Sequence, residues 1–268
     1  MDNFITSTLR LGERVSLVLW LIDQYTALGS SEPDISVFLN GHPAAFQRKA
    51  GGYLVFTELP KETYKIRIES KRYLSEEFEL DINDLDPGEP VFWVALKPAP
   101  IYQFKPIATL IRTSVFDENG QPAPDAILNA ILLDDNCARA RLGRQGAVTG
   151  NQELLLVDVN GPVAPGDLLL IRVSESITGE ICEMAAMGVG EAVYQIKNAL
   201  LADHSRGELL MPVVSTHADE RGEAVLYFRN FRQHGCEVLI EATHNGRKQE
   251  RKVQLKSGMS HILERIIV

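Results

Sequence analysis

The sequence predicts an all-β protein: two antiparallel β-sandwiches, the second interrupted by a small barrel-like β-domain. Three observations lead there. Apolar residues come in short alternating runs, and no stretch carries a convincing amphipathic helical period. Gly, Pro, Asn and Asp punctuate these runs at short intervals. One pattern is also used twice. Its first copy runs Gly51-Gly52-Tyr53-Leu54-Val55-Phe56-Thr57-Glu58-Leu59-Pro60, then Tyr64-Lys65-Ile66-Arg67-Ile68. Its second runs Arg221-Gly222-Glu223-Ala224-Val225-Leu226-Tyr227-Phe228-Arg229-Asn230-Phe231, then Cys236 to Ala242. Each copy is a glycine turn, a strand with an aromatic near its end, a break and a second strand.

Residues 1–13 form a leader of mixed character. The first sandwich spans residues 14–97. Val15 to Asp23 reads as its first strand, and Ile35 to Leu39 as the next, closed by Asn40-Gly41, a pair that takes positive φ readily. Tyr53 to Leu59 follows, stopped by Pro60. Tyr64 to Glu69 alternates, as does Tyr73 to Ile82 with Phe78, Leu80 and Ile82 in phase; Val91 to Leu96 closes the set. Lys97-Pro98-Ala99-Pro100 opens a linker over 98–107, because closely spaced prolines do not sit in a central strand.

The second sandwich takes residues 108–133 and 215–268. Ala108 to Asp117 and Ile127 to Leu133 are strands separated by a long turn. The glycine turn should follow soon, yet it waits until Gly222. Residues 134–214 are therefore an insertion with its own strand rhythm: Leu154 to Val157, Leu168 to Val173, Gly179 to Met184, Val193 to Ile196. Insertion into a surface loop is thermodynamically tolerable when its ends lie close together. Ala224 to Phe228, Glu237 to Ala242, Lys252 to Leu255 and His261 to Ile267 complete the host, with Asn245-Gly246 as a hairpin turn.

Composition narrows the function classes. The chain has 268 residues, a net charge of −9 and a pI of about 5.2. Nucleic-acid binding needs clustered Lys and Arg and is disfavoured. The basic groups Arg139, Arg141, Arg144 and Arg247, Lys248, Arg251, Lys252 read as solvated loop or strand faces. The three cysteines, Cys137, Cys182 and Cys236, are too few and too far apart for a disulfide framework or a zinc pattern, and read as small buried residues in a chain made in a reducing compartment. The apolar run Val15 to Ile22 is far short of the roughly 20 residues a membrane span needs, and no signal peptide is visible. The expected location at synthesis is the cytoplasm.

Certain residues carry a resemblance. They are Val115 to Pro122 with Asp125-Ala126, then 216–222 and 238–242, and in the first copy Leu21-Ile22-Asp23, Val37 to Gly41 and Gly52 to Pro60. These resemble the carboxypeptidase regulatory-like domain, a transthyretin-like, Ig-like β-sandwich related to the Cna-type B repeats of bacterial adhesins. The resemblance implies the fold and says little of function, since such modules serve as spacers, stalks and docking platforms. It implies no peptidase, for which the chain has no room. Adhesin repeats often carry an isopeptide bond from a Lys on the first strand; here the first strands offer Arg14 and Arg112, and Lys49 lies beside a glycine turn, so no such bond is expected. The insertion resembles β-rich segments of phage and surface structural proteins, through Gly166-Asp167, Glu180, His204 and Gly207.

No catalytic constellation emerges. His42, His204, His217, His234, His244 and His261 show no metal-ligand spacing, and His204 with Asp203 or His217 with Asp219 reads as turn hydrogen bonding rather than metal ligation. Asp134-Asp135-Asn136 and Asp117-Glu118-Asn119 read as turns that bond their own backbone, not calcium loops. Gly143, Gly146 and Gly150 precede no P-loop Lys-Ser or Lys-Thr. Glu76 and Glu77 point to opposite faces of a strand. Trp20 and Trp93 are expected in the core. The expectation is a non-enzymatic structural or interaction protein, without cofactor, metal or membrane span, whose partners are other proteins, such as subunits of a phage tail-like contractile injection particle. The alternative is a carbohydrate- or peptide-binding module acting through sandwich loops or the insertion. Its aromatic candidates are Tyr25, Tyr53, Tyr73, Tyr102 and Tyr194.

Overall fold

The computed structural model describes residues 14–161, 163, 165–173, 179–187, 192–229, 231 and 234–268; the leader and Asn230 lie outside them. The described residues are all-β, with two single-turn 3-10 helices, Ile82–Asp84 and Asp135–Cys137. None of their helices is long and apolar enough to cross a membrane. The chain divides into two compact units, Met1–Leu96 and Lys97–Val268.

The first unit contains strands β1 (Val15–Asp23), β2 (Leu28–Gly29), β3 (Ser36–Leu39), β4 (His42–Pro43), β5 (Gln47–Lys49), β6 (Tyr53–Thr57), β7 (Thr63–Glu69), β8 (Glu76–Asp81) and β9 (Val91–Leu96). One sheet is built on β1, which pairs antiparallel with β6 and parallel with β9. The other runs β4-β3-β7-β8. Period-two alternation sends Leu17, Leu19, Leu21, Leu54, Phe56, Val94 and Leu96 to the buried face of the first sheet, and Val37, Ile66, Ile68 and Leu80 to that of the second. Trp20 and Trp93 fall on the other face of the first sheet, half-buried, which corrects the expectation of core packing. Val15 to Ile22 is apolar at nearly every position, so alternation could not assign its faces.

A buried polar knot closes one end of this unit. The Asp23 carboxylate accepts from the Tyr25 and Thr26 amides at 2.8 and 3.0 Å and from the Tyr73 hydroxyl at 3.0 Å. The Ser30 hydroxyl donates to Tyr73 at 3.1 Å. Burial first, and then the Asp23 charge and hydrogen bond, hold the Tyr73 phenol well above its ordinary pKa, against the opposing pull of the Ser30 hydroxyl.

The second unit contains β10 (Thr109–Phe116), β11 (Ile127–Leu132), β12 (Ala140–Leu142), β13 (Glu153–Val157), β14 (Leu168–Arg172), β15 (Gly179–Met187), β16 (Val193–Ile196), β17 (Leu209–His217), β18 (Glu223–Phe228), β19 (Cys236–His244), β20 (Arg247–Leu255), β21 (Ser260–Ile262) and β22 (Ile266–Ile267). Its sandwich repeats the pairing of the first. β10 lies between antiparallel β18 and parallel β21 and β22, as β1 lies between β6 and β9. β11-β19-β20 matches β3-β7-β8.

The repeated glycine has one physical cause in both. Gly52 has φ +84°, and a Cβ there would stand 2.5 Å from the Leu21 carbonyl oxygen; Gly222 has φ +76°, and its Cβ would stand 2.4 Å from that of Val115. Each glycine carbonyl in turn accepts from the same first-strand residue, Leu21 or Val115, at 2.9 and 2.7 Å. A side chain would break the contact and take a conformation that L residues rarely adopt.

In the first unit, Asn40-Gly41 joins β3 to β4 with φ 50° and 81°. In the second, the equivalent hairpin is β11 with the C-terminal half of β17, and the barrel occupies the place of the turn. Its strands close a ring, β12-β13-β16-β15-β14-β17 and back to β12, every pairing antiparallel. The interior is filled by Leu142, Leu154, Leu156, Leu169, Ile171, Met184, Tyr194, Ile196 and Leu210 among others. β17 belongs to both bodies: Leu209 to Val213 pair with β14, and Val213 to His217 with β11. A separate cluster, Ile131, Leu170, Leu209, Met211, Val213 and Leu239, packs over the junction.

Residues 98–107, expected as a linker, belong to the second unit. The Tyr102 and Phe104 rings meet tilted at 4.8 Å, Phe104 meets Tyr227 at 6.0 Å, and Arg112 donates to the Pro100 carbonyl at 2.6 Å.

Replacing Tyr73 by Phe removes a hydrogen bond to a buried carboxylate. It should lower stability by about 1–3 kcal/mol, read as a fall in the urea midpoint without a change of slope.

Candidate functional site

A concavity lies on the barrel wall. It is a cleft of about 800 Å³ between β15 and the segment 198–204. Val173, Ile181 and Leu201 line it and are 44, 41 and 85% exposed.

His204 lies at its edge with its side chain only 2% exposed. Its Nε2 meets Glu180 Oε2 at 3.2 Å and its Nδ1 meets Glu208 Oε2 at 2.9 Å. Glu180 also accepts from the Leu201 and Ala202 amides at 2.7 and 3.2 Å, and Glu208 from the Ser205 amide at 3.0 Å. The turn is bracketed from its far side too: Ala147 and His204 exchange backbone hydrogen bonds at 2.9 and 2.7 Å. Gly146 allows this approach, since a Cβ there would stand 2.4 Å from the His204 carbonyl oxygen. The geometry fastens the segment 200–208 to β15. Both ring nitrogens and both carboxylates are committed to that bracket, which is structural chemistry.

The five residues of the insertion's sequence rhythm thus have distinct places. Glu180 and His204 touch. Gly166, at φ +84°, makes a turn whose amide donates to Met184 O at 2.7 Å; Asp167 pairs with Arg229; Gly207 is a positive-φ turn residue. Glu208, which completes the trio, was missed by sequence reasoning. Its signal was the i, i+4 spacing to His204, which is readable only once the turn is known.

The remaining candidates are dispersed. Asp203 accepts from the amide and hydroxyl of Thr149 at 2.8 and 2.9 Å rather than from His204. Asp219 accepts from the Arg221 and Glu223 amides, each at 2.9 Å. His42 is exposed, as is His234, while His244 bonds Asn245 at 2.9 Å and His261 accepts from the Lys256 amide at 3.0 Å. Among the described residues no group of three or more His, Cys, Asp or Glu is placed to hold a metal ion.

Asp134 and Asp117 bond the amides of Asn136 and of Asn119 and Gln121 at 2.8–2.9 Å, while Asp135 pairs with Arg172. Of the basic groups, Arg247, Lys248 and Lys252 pair with Glu118, Glu241 and Glu237 at 2.6, 2.6 and 3.1 Å, so that face is mixed in sign. Tyr73 and Tyr194 are buried, and Tyr25, Tyr53 and Tyr102 half-buried, without forming one loop cluster. Trp20 instead stacks on Tyr53 at 5.5 Å and donates to the Gly51 carbonyl at 3.1 Å; in register it lies between Tyr53 and Trp93, which makes a cross-strand aromatic row.

The thiols hold a second juxtaposition that sequence reasoning missed. The cysteines are free, and Cys137 and Cys236 bring their sulfurs to 3.3 Å. Cys182 stands apart, bonded to the Leu169 carbonyl at 3.4 Å, its thiol pushed up to about 12 by burial.

No family model matches the chain, and no curated protein matches it either. Among solved structures it is similar to the shaft pilin SpaA of Lactobacillus rhamnosus GG, in a point-mutant form, at 12% identity and TM-score 0.24, covering 96% of this chain and 97% of that one. A streptococcal ancillary pilin shares 11% identity at TM-score 0.22, with 94 and 98% covered. The Bacillus anthracis TIE protein shares 11% at TM-score 0.21, with 94% of this chain and 50% of that one covered. At these TM-scores the likenesses carry no argument about function.

Replacing His204 by Ala leaves Glu180 and Glu208 without the ring that bridges them. It should cost about 2–4 kcal/mol in chemical denaturation. Asp203→Ala, at the exposed neighbour, should shift the midpoint less.

Proposed function

We propose that the chain is a non-enzymatic structural or interaction protein and works as a component of a larger assembly. The observation that carries this is β17, which runs without interruption from the barrel wall into the sandwich sheet. A domain tethered by loops is free to reorient; one that shares a strand is held by backbone hydrogen bonds and by the junction cluster. The barrel is thereby a rigid projection, and its cleft has an apolar rim suited to a protein partner. We also read each sandwich as a carboxypeptidase regulatory-like, transthyretin-like module, supported by the shared pairing scheme and the repeated glycine contact.

The kind of assembly we infer is a phage tail-like particle, put together in the cytoplasm. Its support is the sequence rhythm of the insertion alone. Rate-zonal sedimentation of native lysate containing a tagged copy, with mass spectrometry of the fractions, tests both levels. The tagged chain should run well ahead of its 29.8 kDa mass, with sheath, tube or fibre proteins. Leu201→Glu on the cleft rim should return it to the monomer position. A wild-type chain found only as free monomer would defeat the assembly reading.

One observation favours a second reading, a glycan-binding module: the aromatic row Tyr53–Trp20–Trp93 on the non-core face of the first sheet. Under it, a thermal-shift panel of glycans should contain at least one that raises Tm, and Trp93→Ala should abolish that rise. A flat panel would rule it out.

A further inference from the structure

Cys137 and Cys236 are 99 residues apart in sequence and 3.3 Å apart at sulfur. Cys137 ends the 3-10 turn that leads from β11 into the barrel; Asp134 caps that turn by accepting from the Asn136 amide at 2.9 Å. Cys236 opens β19, the strand beside β11, and the Leu133 amide donates to Glu237 O at 2.9 Å immediately alongside. The two thiols therefore stand where the insertion leaves the sandwich. Cys236 is 2% exposed, and Cys137 is half-buried.

We infer that Cys137 and Cys236 form a reversible oxidation site, at which a hydroperoxide converts the pair to an intrachain disulfide that fastens the start of the barrel to β19. The hydrogen bond between the sulfurs supports this, because it lowers the Cys236 thiol and raises that of Cys137: the pair sheds its first proton readily and shares the one that remains. With that proton on Cys137, which donates to Cys236, the Cys236 thiolate attacks the peroxide. A sulfur–oxygen bond forms, the oxygen–oxygen bond breaks, and hydroxide leaves to be protonated to water. The Cys137 sulfur then attacks the Cys236 sulfenic acid. The sulfur–sulfur bond forms, the sulfur–oxygen bond breaks, and a second water departs with the remaining proton. Two thiols lose two electrons and the peroxide gains them. A dithiol such as dithiothreitol reverses the change by exchange.

The test uses the whole chain and hydrogen peroxide near stoichiometry. Thiols titrated in denaturant should fall from three to one, and the intact mass should drop by about 2 Da, the two hydrogens lost. A single cross-linked peptide pair should contain Cys137 and Cys236, and dithiothreitol should restore all three thiols. The closed loop is long, so oxidised protein should melt roughly 5–10 °C higher than reduced. C182S should behave as wild type, and C137S and C236S should show no intrachain bond. Three thiols surviving treatment, a gain of oxygen without the 2 Da loss, a bond through Cys182 or a disulfide between chains would each overturn the proposal.

Discussion

β17 has to satisfy three neighbours with one backbone. Its first residues close the barrel against β12, the same stretch hydrogen-bonds β14 on its other edge, and its last residues serve as a sandwich strand beside β11. Its side chains follow that division. Leu210 points into the barrel, Val214 packs on the sandwich core, and Leu209, Met211 and Val213 cover the junction from the opposite face. A shift of one residue would exchange these sets, sending junction residues inward and core residues out. The register of this strand therefore fixes the barrel, the second sandwich and their joint packing together.

Edges are the other constraint. The barrel has none, because its first and last strands pair. The second sandwich ends in β20, nine residues long and, among the described residues, paired on one side only. Its exposed run Arg247-Lys248-Gln249-Glu250-Arg251-Lys252 is charged at five of six positions, and Lys248 and Lys252 are matched by the β19 carboxylates of Glu241 and Glu237. An unpaired strand edge invites association with other chains, and dense charge discourages it. The basic cluster visible in the sequence is thus explained by the sheet without a ligand.

Much of the architecture was legible because it rests on local pattern. The repeat was visible as glycine turns, and the structure supplies its cause in the close approach of Gly52 and Gly222 to the first strands. Strand positions followed from alternation and punctuation. Less was legible where contacts are distant. His204 and Glu180 are 24 residues apart and are joined only by the wrapping of the barrel. Cys137 and Cys236 are brought together by the β11–β19 pairing, which no local pattern announces. Trp20 was misplaced because its strand is apolar on both faces. The prolines of 98–107 exclude a strand and so suggest a linker, but they do not prevent Tyr102 and Phe104 from packing.

The two units also show one hairpin in two forms. In the first, Asn40-Gly41 turns the chain in two residues; in the second, a closed six-stranded body stands between the same two strand positions. The strands need only a short distance between their ends, and a compact domain whose termini emerge side by side meets that need as well as a dipeptide does. The Asn40-Gly41 corner is thus a natural graft point, where a foreign domain with adjacent termini should be carried without disturbing the sheet below.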